Sequence, residues 1–245
     1  MSFYDFAPIA AALSGLHVLV EALISLLQPL WPQAAPTAAI LLVTIAVRVA
    51  MIPLSIRAVR AERSRAELAP SVAELRRRYA GDAARLGREL AELYRRKGVS
   101  PAAGLLPLLA QAPVLSLLYG VFSRAVIAGS PNLLLTQQLL GMPFSGAILP
   151  GLLSGVLPWP AVLVSVAVLC AVALAAELAR RPADSARSTA GSATPPPAAR
   201  ALAATLPFAG LVVAAFVPFA AALYLATSAV WGALERPVLT RLIAR

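Results

Sequence analysis

The stretch AAPTAAILLVTIAVRVAMIP, residues 34–53, decides the fold class of this chain. About 20 apolar residues in a helix are long enough to cross the ~30 Å hydrocarbon layer of a bilayer. Arg48 interrupts this run, and in a helix that begins near Pro36 it lies about 18 Å along the axis. A guanidinium at that depth costs at least about 2.5 kcal/mol. Arg48 therefore either snorkels towards the headgroups or faces a buried polar cavity that receives a substrate group.

The composition agrees with a membrane protein. Hydrophobic residues make up 60% of the 245 residues, charged residues only 13%, and the mean hydropathy is +0.80, whereas soluble domains carry about 25% charged residues. The net charge of +10 is explained better by positive loops on the cytoplasmic side than by nucleic-acid binding. With one cysteine, Cys170, and one histidine, His17, we expect no disulfide framework, no metal cluster, no cofactor and no enzyme activity.

The N-terminal segment, residues 1–33, contains an apolar run at residues 9–30 with an ordered set of polar residues. These are Ser14, His17, Glu21, Ser25 and Gln28, spaced 3, 4, 4 and 3, on one helical face. A continuous polar stripe favours an amphipathic helix in the membrane interface, and a further span is the alternative. His17 and Glu21 are then expected to form a surface pair.

Charge dominates the next segment, residues 57–100. Residues 57–97 hold twelve Arg or Lys and six Asp or Glu, and this net charge of +6 predicts a cytoplasmic position. Two apolar stripes at helical spacing follow each other: Leu68, Val72, Leu75 and Tyr79, then Leu86, Leu90 and Leu93. Gly81 suits the C′ position of one helix and Asp82 the N-cap of the next, and Pro70 is expected to kink or restart the first arm. The prediction is a helical hairpin.

Two interpretations of the hairpin's basic residues stay open. They are either a topology signal in contact with anionic lipid or a docking surface for a ribosome, a nascent chain or a targeting factor. The candidate docking residues are Arg76, Arg77, Arg78, Arg85, Arg88, Arg95 and Arg96.

Four more spans are predicted in residues 101–245, after the first span at residues 34–56. The run at residues 104–122 contains Gln111, which should face protein or water beside helix-distorting prolines. Residues 123–158 are predicted to be an extracytoplasmic loop, residues 159–179 a span and residues 180–200 a cytoplasmic linker. Pro218 should divide residues 201–234 into two helices of about 16 residues, followed by a short tail. The N-terminus is then outside and the C-terminus cytoplasmic.

Three motifs occur in an order that resembles the YidC/Oxa/Alb family of membrane-protein insertases. They are TIAVRVAMIPL at residues 44–54, the hairpin followed by LPLLAQAP at residues 106–113, and LPFAGLVVAAFVPFAAALYLATSAVWGALE at residues 206–235. The chain departs from the family pattern at Leu225, at Ala229 and at the pair Glu235 and Arg236, which puts the polarity of the last helix in question.

The resemblance implies an all-α fold with a five-helix transmembrane core around a hydrophilic groove, open to the cytoplasm and to lipid. Arg48 matches the groove arginine, with Thr44, Gln111 and Tyr224 beside it. The family receives transmembrane segments of substrates and releases them into the bilayer without nucleotide hydrolysis. Implied partners are nascent membrane proteins, the ribosome, a targeting receptor, the Sec translocon and anionic lipids, with no nucleic acid bound directly, and the implied location is the bacterial plasma membrane.

A small transporter or channel is the alternative function, because an intramembrane arginine and proline-broken helices are also expected there. It predicts a pathway open to both sides. An intramembrane enzyme is disfavoured, because no nucleophile and base can be paired in the sequence.

Overall fold

The structure is a computed structural model that describes residues 6–98, 106–189, 205 and 208–244. Most of these residues are helical. The helices are α1 (Ala7–Leu27), α2 (Ala35–Arg78), α3 (Ala83–Arg96), α4 (Leu106–Ser123), α5 (Ile148–Ser154), α6 (Trp159–Thr189), α7 (Ala209–Phe216) and α8 (Phe219–Ala244). Within the described residues, α1, α2 and α6 are long and apolar enough to cross a membrane. The all-α membrane class is confirmed at this level, while the five-span count and the interfacial position of α1 stay predictions.

Helix α2 is one continuous helix of 44 residues, about 66 Å long. It runs from the apolar stretch into the charged segment, and Pro53 and Pro70 lie inside it without ending it. Pro70 therefore does not restart the first arm, and no break separates the predicted span from the predicted hairpin. Six of the seven buried residues of α2 lie between Ala35 and Thr44, so the apolar half packs in the bundle and the charged half extends away from it.

The turn between α2 and α3 follows the predicted chemistry at one of two positions. Asp82 is the N-cap of α3, and its carboxylate accepts a hydrogen bond from the Arg85 amide at 2.8 Å. Gly81 is not at the C′ position, because Tyr79 is the C-cap of α2 and Ala80 follows it. Helix α3 then packs against α2.

Helix α1 packs against α2, α4 and the first strand of the segment after α4. Its apolar face is turned outwards, with Val18 62% and Leu26 69% exposed. The prediction of a surface pair is wrong for His17, whose side chain is only 6% exposed, with Nε2 3.3 Å from Oε1 of Glu21. Neighbouring helices bury the polar stripe at His17, whereas Ser25 and Gln28 at its other end are exposed.

Residues 124–158, which we call the cap, form ordered structure where the sequence predicted a loop. Strands β1 (Val126–Ile127) and β2 (Ser130–Pro131) make one two-stranded sheet, and β3 (Gln138–Leu139) and β4 (Met142–Pro143) make another. The Asn132 amide nitrogen donates to the carbonyls of Val121 and Arg124 at 2.6 and 2.9 Å, and its oxygen accepts from the Leu134 amide. Asn132 therefore ties the cap to the end of α4.

Pro218 divides the last apolar block, as predicted: α7 ends at Phe216 and α8 begins at Phe219. The cap satisfies the first amides of α8, because Phe219 N–H donates to Gly146 at 2.7 Å and Ala220 N–H to Phe144 at 3.2 Å. Helix α8 continues through Pro237 to Ala244. The predicted C-terminal tail is thus the end of this helix, whose length exceeds the predicted 16 residues.

Candidate functional site

The site lies where α2 packs against α8, one of the two most extensive helix contacts of the described fold. The two helices run in the same direction, because Arg48 lies within electrostatic range of Tyr224 and, nearer the charged end, Arg63 bonds to the Ile243 carbonyl. Arg48 is half-buried at this contact. Glu235 is the other ionisable group that acts on it electrostatically.

In the part of the chain that the structure describes, Arg48 has no hydrogen bond and no close ion pair; it interacts with Tyr224 and Glu235 only at longer range. No carboxylate oxygen lies within 4.0 Å of its guanidinium there, and none of the described hydrogen bonds involves it. A structural arginine inside a protein is normally paired, because an unpaired buried charge is costly. The arrangement is therefore one in which the guanidinium can interact with a group from outside the chain.

Four residues of α8 form a row that we call the α8 polar row: Tyr224, Ser228, Trp231 and Glu235. The first and the last of them are the two groups that act electrostatically on Arg48. Their spacing of 4, 3 and 4 places them on one helical face. Tyr224 and Ser228 are buried, at 3% and 5% exposure. The indole N–H of Trp231 donates to Oε2 of Glu235 at 3.0 Å, which holds the carboxylate in place.

Two atoms of the α8 polar row are buried without a hydrogen-bond partner in the structure: Oγ of Ser228 and Oε1 of Glu235. Such atoms are exceptional, because most buried polar atoms have a partner and an unsatisfied one costs about 1–3 kcal/mol. These two atoms and the half-buried guanidinium of Arg48 belong to a single helix contact. The site can therefore bind polar groups.

The structure places the four predicted groove residues unequally. Thr44 is fully buried one turn before Arg48, and its hydroxyl donates to the Ile40 carbonyl of its own helix at 2.7 Å. Tyr224 packs its ring against Phe122, with centroids 6.3 Å apart. Gln111 belongs to α4, and its side chain lies outside the described part of the structure. Arg48 and Tyr224 are thus brought together, and Thr44 supports the helix that carries Arg48.

Sequence reasoning missed Ser228, Trp231 and Glu235 as members of the site. The signal was present, since their spacing from Tyr224 repeats at helical intervals in a segment with no other charge before Glu235. Glu235 was noted only as a departure from the family pattern. Its proximity to Arg48 comes from the packing of two helices that are far apart in sequence.

The predicted docking arginines of α2 and α3 are all exposed. Tyr79, at the tip of the hairpin, lies near two arginines. The guanidinium carbons of Arg78 and Arg85 are 5.9 and 5.2 Å from the centroid of its ring. The side chain of Arg96 donates to Glu92, and this hydrogen bond lowers the pKa of the Glu92 carboxyl from its usual value. The hairpin therefore presents a positively charged surface on which Arg96 is held in an ion pair with Glu92.

Comparison with known proteins gives relatives of one kind. Membrane protein insertase YidC of Helicobacter pylori (strain ATCC 700392 / 26695) is 35% identical over 121 residues, 49% of this chain and 22% of that protein. Its counterpart in Clostridium perfringens (strain 13 / Type A) is 37% identical over 84 residues, 34% of this chain and 35% of that protein. The inner membrane ALBINO3-like protein 2, chloroplastic, of Chlamydomonas reinhardtii is 39% identical over 121 residues, 49% of this chain and 27% of that protein.

These matches span about a fifth to a third of each relative's own length. The model of the family described as 60Kd inner membrane protein matches a much larger part of this chain, residues 32–245. That range begins just before α2 and includes Arg48 and the α8 polar row. Together with the apolar helices it supports a location in a bacterial membrane. The chain belongs to the 60Kd inner membrane protein family, which is the YidC/Oxa/Alb family that its motifs resemble.

Proposed function

We propose that this protein is a membrane-protein insertase, which receives a transmembrane segment of a substrate at the α2–α8 site and releases it into the bilayer. The observation that carries the proposal is Arg48, which is half-buried at the contact of two helices and has no hydrogen bond or ion pair within 4.0 Å among the described residues. Relatives named as membrane protein insertases support it. No covalent chemistry and no nucleotide hydrolysis are part of this function.

Arg48 acts in this proposal by charge and hydration. A guanidinium held inside the membrane keeps water near it and shortens the apolar barrier that a hydrophilic tail must cross. It also attracts acidic residues of that tail. Ser228 and Glu235 add polar atoms that water can satisfy along the same path.

The free energy for the movement comes from the substrate itself. Twelve Leu or Ile residues in a span contribute about −4 to −7 kcal/mol, whereas one Asp, Lys or Arg at the centre costs about 2.5–3.5 kcal/mol. Partition of the apolar segment therefore suffices to move a tail with one charge. A tail with several charges exceeds this driving force, and there the site must lower the barrier.

The orientation that we propose places the cap outside and the basic hairpin in the cytoplasm. In this position the hairpin captures nascent membrane proteins, alone or with a ribosome, a targeting receptor or the Sec translocon. Replacing the seven docking arginines by glutamine tests this role, because glutamine is also a good helix former. We expect weaker substrate capture with an unchanged membrane core, and full-rate insertion by this variant would reduce the hairpin to a topology signal.

A transporter or channel is the second candidate function. The cap favours the insertase, because Ala147 pairs with Pro218 and the cap carbonyls bind the start of α8 at that end. A solute pathway needs an opening at both ends of the site.

Proteoliposomes that contain the purified protein distinguish the two functions. A small substrate similar to a phage coat protein should become protected from external protease only when the protein is present, with protein-free liposomes as the control. Solute flux through the same liposomes without insertion of the substrate would overturn the insertase proposal.

A further inference from the structure

A cavity of about 730 Å³ lies between the charged ends of α2, α6 and α8. It is separate from the α2–α8 site, because neither Arg48 nor any residue of the α8 polar row lines it. Apolar side chains form much of its wall: Val59, Ala66, Leu178, Ala233, Pro237 and Ile243. Its volume falls within the range of about 300–1,000 Å³ that is usual for small-molecule sites.

Positive charge surrounds this apolar wall. Arg63, Arg236 and Arg241 line the cavity, and Glu62 is the one acidic residue that does. Arg236 pairs with Glu62, and Arg63 donates both to Glu67, at 3.3 Å, and to the carbonyl of Ile243. Arg241 is exposed and has neither a hydrogen bond nor an ion pair within 4.0 Å among the described residues. The rim therefore has a surplus of positive charge.

The cavity lies where all three helices change from apolar to charged sequence. On α2 the first charged residue after Arg48 is Arg57, and on α8 the first charged residue is Glu235. On α6 the apolar segment that could span a membrane ends at Arg180. The lining residues lie on or beside these transitions. Such a change along a membrane helix marks the level of the lipid headgroups.

We propose that this cavity is a binding site for one anionic phospholipid. The acyl chain and glycerol lie on the apolar wall, and the phosphate contacts Arg241, with Arg63 and Arg236 beside it. Basic pockets between transmembrane helices on the cytoplasmic side bind acidic headgroups in this way. The site joins the ends of α2, α6 and α8 and does not depend on the proposed insertase function.

Native mass spectrometry of the detergent-purified full chain tests the site. Phosphatidylglycerol and phosphatidylcholine with identical acyl chains are added in equal amounts, and we expect the protein to retain phosphatidylglycerol preferentially. Arg241→Gln should weaken its retention about fivefold. The matched control is Arg88→Gln, which removes the same charge from an exposed position on α3 that is outside the cavity.

A second variant tests the cavity itself. Gly232 lines it, and a Cβ atom built there has no neighbour within 4 Å, so Gly232→Phe should fill the space and abolish retention of phosphatidylglycerol. Ala233→Leu serves the same purpose if the first variant does not fold. Equal effects of Arg241→Gln and Arg88→Gln, equal retention of the two lipids, or undiminished retention after the cavity is filled would each overturn the proposal.

Discussion

The cap and the α2–α8 site treat polar groups in opposite ways. At the cap end, Phe122, Phe144 and Phe219 are fully buried, and every polar atom of the Asn132 amide has a hydrogen-bond role. At the α2–α8 site, Oγ of Ser228 and Oε1 of Glu235 are buried without a hydrogen-bond partner in the structure. The cap satisfies its buried polar groups, whereas the α2–α8 site retains unsatisfied ones at a cost in stability, which is typical of functional sites.

The largest effect is expected from a substitution at the cap end. Phe144→Ala removes a fully buried ring that packs against Phe219, with centroids 6.0 Å apart. We expect the free energy of unfolding to fall by about 3–5 kcal/mol, measured by denaturant titration in detergent micelles. Leu153→Ala is the control, because Leu153 is 78% exposed. Equal losses in the two variants would mean that the cap does not stabilise the bundle.

Arg48→Ala should change function and leave stability nearly unchanged, because among the described residues Arg48 has no hydrogen bond and no ion pair within 4.0 Å to lose. Opposite charges about 6 Å apart attract by about 2.8 kcal/mol at an effective dielectric constant of about 20. Insertion of substrates with acidic tails should therefore fall about ten- to a hundredfold, and that of uncharged tails much less.

The measurement is protease protection of matched substrates in proteoliposomes, with the exposed Arg57→Ala on the same helix as the control. Equal insertion of acidic and uncharged tails by Arg48→Ala would remove the electrostatic part of the mechanism. Arg48→Lys should retain part of the activity, and its complete failure would point to guanidinium geometry in place of charge.

The helix break at Pro218, the N-cap at Asp82 and part of the site were predictable from sequence, because their signals are local. Proline removes a helix hydrogen bond and disfavours a continuous helix, and the predicted break at Pro218 is present. The same rule fails at Pro53 and Pro237, through which α2 and α8 continue. Asp82 acts as an N-cap for a local reason, because its own side chain accepts the capping hydrogen bond. Arg48 and Tyr224 were paired through the resemblance to a family. Helical spacing along α8 would have added Ser228 and Trp231.

The remaining features depend on packing between distant segments. The burial of His17 comes from neighbouring helices that cover a face which looks polar in sequence. The order of the cap comes from contacts of Asn132 and Phe144 with α4 and α8. Helix α2 continues without a break past Pro53 and Pro70. A single sequence contains no direct record of such contacts.

Glu235→Gln should have a smaller effect than Arg48→Ala and the opposite sign. The substitution removes a negative charge that acts on Arg48, and it leaves an amide oxygen to accept from the Trp231 indole. Acidic tails should then meet a more positive site, and we expect their insertion to rise about fivefold, as for ~1 kcal/mol of electrostatic energy. The exposed Glu74→Gln is the control, and an increase of the same size there would assign the effect to net charge.

The smallest effect is expected at the hairpin, in the pair of Glu92 and Arg96. The hydrogen bond from Arg96 lowers the pKa of Glu92 in the folded protein. A depressed carboxyl pKa stabilises the folded state above the unfolded pKa, about 4.3 for Glu, and this contribution is lost as the pH falls through the lower, folded value. Amide hydrogen exchange in α3 should therefore accelerate slightly below about pH 4 relative to Glu92→Gln, which cannot titrate. Identical pH profiles for the two proteins would show that the ion pair of Glu92 and Arg96 does not stabilise α3.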